Sequence, residues 1–201
     1  MNTQTGNEFE GVSLFERLPM EWVAGDLGNL QEIDHANHET ARALQALAVY
    51  EEMPHEPVAS DINHPNSDVL HLQVKVDVLL SLVGRLMADQ SGMPPRHSLV
   101  LRAASAEWSG PDQNKARAGD TGYMLLYPNA SLPLPLRIPA RVVGSVERSG
   151  SRWLQTRFEH LSPAVGAGMA RMVFRRHRRQ VAFSKGTGVF TETGIFRASK
   201  F

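Results

Sequence analysis

Val69-Leu-His-Leu72-Gln-Val-Lys-Val76-Asp-Val-Leu79-Leu80-Ser-Leu82-Val83-Gly-Arg-Leu86-Met87 is the most regular stretch of this chain. Apolar residues fall at 69, 72, 76, 79, 83 and 86, with spacings of 3, 4, 3, 4 and 3. That is a heptad seam, with Val at every a position and Leu at every d position. A strand through Val74, Val76 and Val78 is the competing reading, and it fails because the apolar stripe outruns a typical strand. Ser67 or Asp68 can cap this helix, and Gly92, Pro94 and Pro95 break it. Three heptads are marginal as an isolated helix, so the seam must be covered. Leu80 and Met87 occupy e positions and Leu82 a g position, where dimers usually carry charges. Such a widened apolar face suits an assembly of more than two helices. The expected oligomerisation residues are therefore Val69, Leu72, Val76, Leu79, Leu80, Leu82, Val83, Leu86 and Met87. Packing of the same face onto the protein's own core is the alternative.

Upstream, Leu14, Phe15, Leu18 and Trp22 recur at i, i+1, i+4 and i+8, which predicts a short docking helix. A longer helix is expected over about 27–51, where Leu30, Ile33, Ala41, Leu44, Leu47 and Ala48 keep helical spacing. Pro54, Pro57 and Pro65 then mark a linker. Downstream the texture turns to β. His97–Ala103, Gly122–Tyr127, Leu134–Val146 and Trp153–Glu159 read as strands separated by turn residues. Prolines 133, 135 and 139 predict that Leu134–Val146 begins as an edge strand or with a bulge. Four or five short antiparallel strands suggest a small barrel. A last helix is expected from Ser162 as N-cap and Pro163 at N1, running through Gln180. The glycine-bearing tail after it is expected to be mobile. The expected organisation is an acidic helical region with linker over 1–66, a coiled-coil helix over 67–90, a barrel with closing helix over 91–182 and a flexible tail over 183–201.

Length and composition suit this plan: 201 residues, 42% hydrophobic and 21% charged, make an ordinary globular chain. No apolar run approaches the roughly 20 residues of a membrane span. The start of the chain lacks the pattern of a signal peptide, and there is no cysteine. Disulfides and thiolate zinc sites are thereby excluded, and a cytoplasmic protein is expected. Net charge is zero but lopsided. Residues 1–89 carry 15 acidic and 4 basic residues, and residues 90–201 carry 6 acidic and 17 basic ones. Either the second half binds anions, or the acidic half packs against the basic one within or between subunits. Overall neutrality speaks against bulk nucleic-acid binding.

The second half resembles PilZ domains, and more narrowly the atypical, tetrameric PilZ family that places a heptad helix before its barrel. The residues carrying the resemblance are the helix Val69–Leu86, the strand and turn Leu101–Trp108, and Leu132-Pro-Leu-Pro-Leu-Arg-Ile-Pro-Ala-Arg-Val142. Arg157-Phe-Glu159 and Phe174-Arg-Arg-His-Arg-Arg-Gln180 complete it. The resemblance covers about residues 67–182. It implies an α+β fold: N-terminal helices including the coiled-coil helix, then a small antiparallel barrel closed by a C-terminal helix. It also implies a homotetramer and a place in cyclic di-GMP signalling. PilZ domains generally bind that nucleotide through an Arg-x-x-x-Arg stretch and an Asp/Asn-x-Ser-x-x-Gly turn, using guanidinium forks on phosphates and guanine edges. Aligned on Ser105, this chain has Ala103 at the Asp/Asn position and Trp108 at the Gly position. Arg96 has no arginine four residues away on either side.

Ser105, Arg137, Arg141, Arg175, Arg176, Arg178 and Arg179 are the remaining candidates for holding an anion or nucleotide. The run Arg175–Arg179 reads equally as a helix end whose cations offset the dipole and the acidic half. Asp34-His35 and His38-Glu39 offer two imidazoles at i, i+3 without a clear third ligand, so no metal and no cofactor are expected. Neither a nucleophile elbow nor a phosphate-loop pattern occurs. The expected function is a non-enzymatic oligomeric adaptor in cyclic di-GMP-linked regulation, acting on an unidentified protein partner. A direct receptor with a rearranged nucleotide site is the alternative.

Overall fold

The computed structural model describes residues 11–52, 72, 75–76, 78–79, 82–83, 92–111, 115–129, 132 and 134–186. Among the described residues the elements with full bounds are β1 (Leu14–Ala24), α1 (Leu30–Glu52), β2 (Arg96–Leu101), β3 (Ser105–Ser109), β4 (Thr121–Leu126), β5 (Leu136–Arg148), β6 (Ser151–Phe158) and α2 (Pro163–Gly186). All strand pairs are antiparallel and close into a barrel in the order β1-β2-β3-β6-β5-β4. Residues 72, 75, 76, 78, 79, 82 and 83 are helical, as the heptad reading requires. The linker expected around Pro54–Pro65 lies outside the described residues.

β1 corrects the expected docking helix. Its first half pairs with β2, Leu14 opposite Leu101 through Pro19 opposite Arg96. Its second half pairs with β4, Met20 opposite Leu126 through Ala24 opposite Gly122. The barrel is therefore closed by a strand upstream of residues 91–182. Leu14, Leu18 and Trp22 are spaced by multiples of both four and two, so helical and strand periods fit them equally. What decides is that Met20 is buried while Phe15 is 59% exposed, the alternation of a half-buried strand. Pro19 is unfavourable inside a helix and sits where β1 changes partners. Its carbonyl accepts Tyr127 N at 3.1 Å.

β5 begins as its prolines predict, with one side free of strand pairing: residues 136–139 pair with β4 alone, and the second ladder, to β6, starts only at Ala140. Its irregularity is a bulge between Val142 and Gly144. Pro139 lies one residue before the β5–β6 ladder begins at Ala140 opposite Phe158, and its carbonyl accepts Glu159 N at 2.8 Å.

α1 starts as expected of an Asn-capped helix: Asn29 Oδ1 accepts Glu32 N at 3.0 Å. Ser162 does the same for α2, accepting Val165 N at 3.3 Å with Pro163 as first helical residue. Phe183–Gly186 belong to α2, so the flexible tail does not begin at 183; residues beyond 186 lie outside the described set.

The core runs through the barrel and out to both helices, with Trp108, Met124, Ile138 and Leu154 meeting Leu44, Leu47, Met169 and Met172. A Cβ on Gly168 would stand 2.9 Å from Leu44 Cδ1, so glycine there lets α2 approach α1 closely. Asn37, buried on α1, fastens the β6–α2 connection. Its Nδ2 donates to His160 O at 2.8 Å and its Oδ1 accepts Ser162 N at 2.9 Å. No helix among the described residues is long and apolar enough to cross a membrane.

Candidate functional site

The β2–β3 turn is tight: Arg102 N donates to Ser105 O at 2.9 Å. Ser105 is fully buried and stands opposite Arg157 of β6. Arg157 in turn stands opposite Arg141 of β5. Ser105 and Arg141 thus share one row of the barrel wall, two strands apart, or about 9–10 Å.

The positions that the resemblance aligns with a nucleotide turn are put to other use. Trp108 is fully buried; its Nε1 donates to Thr156 Oγ1 at 3.0 Å and its ring meets His97 edge-on at 5.6 Å. An indole therefore fills barrel core where the PilZ turn has glycine. Ala103 offers no side-chain acceptor. Glu107, also buried, is ion-paired with Arg102 Nη1 at 3.6 Å and with Arg148 Nη2. Burial lowers the Arg102 pKa, opposed by Glu107 and reinforced by Arg148.

The candidate arginines do not converge on one place. Arg141 grips Glu159 with two bonds, Nε at 2.8 Å and Nη2 at 3.4 Å, which raise its pKa. Arg157 Nη2 reaches the same carboxylate at 3.8 Å. Arg175 donates to Glu52 at 2.6 Å. Arg176 binds Glu16, Glu51 and the Pro128 carbonyl, and Arg179 donates to Glu51 O at 2.9 Å. Arg178 lies 5.9 Å from the Phe174 ring. Arg137 lies apart, over the Tyr123 ring. Three of the seven candidates thus tie the basic helix to acidic residues of the first half. Arg102, Arg148 and Glu107 were not among the candidates. Alternation along β3 could have flagged Glu107 as sharing a face with Ser105.

The expected oligomerisation face is open in the single chain. Leu72, Val76, Leu79 and Val83 are 62, 43, 61 and 51% exposed, and Leu82 is exposed beside them. Val69, Leu80, Leu86 and Met87 lie outside the described residues. Val78, exposed four residues before Leu82, adds an apolar position off the seam. On α1, His35 Nε2 contacts Glu39 at 3.2 Å. Among the described residues no cluster of three or more His, Asp or Glu could hold a metal.

Comparison with known proteins agrees with this geometry. A tetrameric PilZ domain protein of Xanthomonas campestris, described as self-assembled through an unusual helical bundle, is 26% identical, with a TM-score of 0.67 over 85% of this chain and 91% of that one. The PilZ domain of YcgR from Escherichia coli, solved with cyclic di-GMP, is 19% identical, with a TM-score of 0.36 over 47% of this chain and 79% of that one. No curated protein matches. The family described as atypical PilZ domain, cyclic di-GMP receptor, matches residues 44–186. That match takes in strands β2 to β6, the helical residues of the heptad seam and the closing helix, and the chain belongs to the atypical PilZ domain family.

Proposed function

We propose that the protein is a non-enzymatic, oligomeric PilZ adaptor in cyclic di-GMP-linked regulation, acting through protein contacts. The observation that supports this reading is Trp108: a buried, hydrogen-bonded indole stands where the resemblance aligns the turn glycine. Reopening that position for a ligand would remove a core side chain. Ala103 takes away a polar contact as well, and each lost charge-assisted bond removes on the order of 1.5–3 kcal/mol. Tenfold in affinity is about 1.4 kcal/mol. The assembly is a tetramer through the heptad helix, by analogy with the bundle described for the Xanthomonas protein. An exposed stripe of four Leu and Val side chains on one helix supports it, since monomers rarely leave such patches uncovered. Calorimetric titration with cyclic di-GMP is the test, and no affinity tighter than roughly 10 μM is expected.

The alternative, direct reception by a rearranged site, is favoured by one observation: Ser105, Arg157 and Arg141 share a row, with two guanidinia on the single carboxylate of Glu159. Sub-micromolar binding that is lost in Arg141→Gln would establish that reading and displace the first.

A further inference from the structure

A cleft of about 620 Å³ opens between α1 and strands β1, β4 and β5. On the helix side it is lined by Ala43 and Ala46, whose methyl groups leave space that a larger side chain would fill. Tyr123, Leu125, Leu134 and Pro135 line it from the barrel side. The volume lies within the range of small-molecule sites, about 300–1,000 Å³, and the walls are apolar as such sites usually are. Volume and apolar lining together fit a small molecule.

Its charge is one-sided. Arg42 and Arg137 line the cleft together with a single carboxylate, Glu39, which already faces His35 at 3.2 Å. Arg141, Arg175 and Arg176 each reach a glutamate. Among the described residues Arg137 and Arg42 have no carboxylate within ion-pair distance. Arg137 is nonetheless fixed. Its N donates to Thr40 Oγ1 at 3.0 Å, its O accepts from the same hydroxyl at 2.9 Å, and its guanidinium carbon lies 4.2 Å from the Tyr123 ring centroid. Tyr123 is itself anchored, its hydroxyl donating to Leu27 O at 2.7 Å. A planar cation held in place without a counter-ion is pre-organised for an anion, because the ordering entropy is already spent.

We propose that this cleft binds a small amphipathic acid. Its aromatic or aliphatic body lies against Ala43, Ala46 and Leu125, and its single acidic group rests on Arg137 with Arg42 beside it. The site uses neither Ser105 nor Trp108, so it stands or falls apart from the adaptor reading.

Full-length protein titrated with anilinonaphthalene sulfonate, followed by dye fluorescence, tests this. The exposed heptad helix can also take up dye, so the comparison is with Ala46→Trp, which fills the cleft, and Arg137→Gln, which keeps both backbone bonds to Thr40. One saturable component should vanish in Ala46→Trp and weaken tenfold or more in Arg137→Gln, with circular dichroism and oligomer mass unchanged. Dodecanoate should displace that component and dodecanol should not. Should Ala46→Trp fail to fold, Arg137→Gln and the dodecanoate–dodecanol pair decide alone. Unchanged dye binding in Arg137→Gln, or displacement by cyclic di-GMP instead of dodecanoate, overturns the proposal. So does an altered oligomer mass in a folded Ala46→Trp variant, which would make the cleft a subunit contact.

Discussion

Arg176 Nη1 donates to both carboxylate oxygens of Glu16, at 3.0 and 2.9 Å, across 160 residues of sequence. Its Nη2 donates to Glu51 at 2.7 Å, so one guanidinium joins α2 to β1 and α1 together. Burial acts to lower its pKa, but the charges and hydrogen bonds of Glu16 and Glu51 outweigh that, and the net shift is upward. This contact accounts locally for the acidic first half and the basic second half of the chain.

Removing that guanidinium should destabilise the fold strongly. In Arg176→Gln, the Glu51 side chain, 7% exposed, loses its closest cation. Glu51 keeps only the longer contact to Arg179 Nη1 at 3.7 Å, so the loss approaches the roughly 3 kcal/mol of a broken buried pair. Urea unfolding of wild type and variant measures the difference, and a loss below about 1 kcal/mol would show that the three elements hold together without the tie.

Trp108 should behave as core and not as part of a ligand site. Trp108→Ala is expected to lose about 3–5 kcal/mol of stability through cavity formation. Trp108→Phe keeps most of the ring but leaves Thr156 Oγ1 without its donor, a loss of about 1 kcal/mol. Thermal unfolding of both variants checks the order. Equal stability of Trp108→Ala and wild type would contradict the assigned role.

Leu79→Lys should dissociate the assembly. Leu79 is helical and exposed in the single chain, at the centre of the seam. A lone ammonium buried there has no partner, and a symmetric tetramer would contain four. The barrel core does not include the described seam residues, so circular dichroism should remain native while light scattering falls to monomer mass. An unchanged mass, or a monomeric wild type at micromolar concentration, would refute the seam as interface.

Tyr123 should make the fold alkali-sensitive. Its pKa is raised by burial first, with Glu32 and Asp26 adding to the rise and Arg137 opposing it. The folded state therefore keeps the phenol proton where the unfolded chain has begun to lose it, above about pH 10. More bound protons in the native state mean that stability falls as pH rises through that window. Tyr123→Phe should be less stable near neutrality, having lost the bond to Leu27 O, but should lose less on going from pH 9 to pH 11. Parallel stability–pH curves for the two proteins would assign the alkaline loss to other groups.

What could be read from the chain alone was what depends on near neighbours in sequence. The 3-4 spacing from Leu72 to Val83 defines a helix and its face whatever lies around it. Ser162-Pro163 marks a helix start because cap and first turn are local chemistry. β2, β4, β5 and β6 show in their turns and apolar runs for the same reason, whereas β3, Ser-Ala-Glu-Trp-Ser without a β-branched residue, does not. Tertiary structure alone decided the rest. Leu14, Leu18 and Trp22 fit both periods, and only the open positions on β2 and β4 make them a strand. Runs of arginine look alike as text, yet Arg176 is neutralised by Glu16 and Glu51 while Arg137 is held by Thr40 and Tyr123 with no carboxylate at ion-pair distance among the described residues. The carboxylates that Arg141 and Arg176 meet lie 18 and 160 residues away. Their approach is set by how the two helices pack on the barrel, and local sequence periodicity carries no record of that packing.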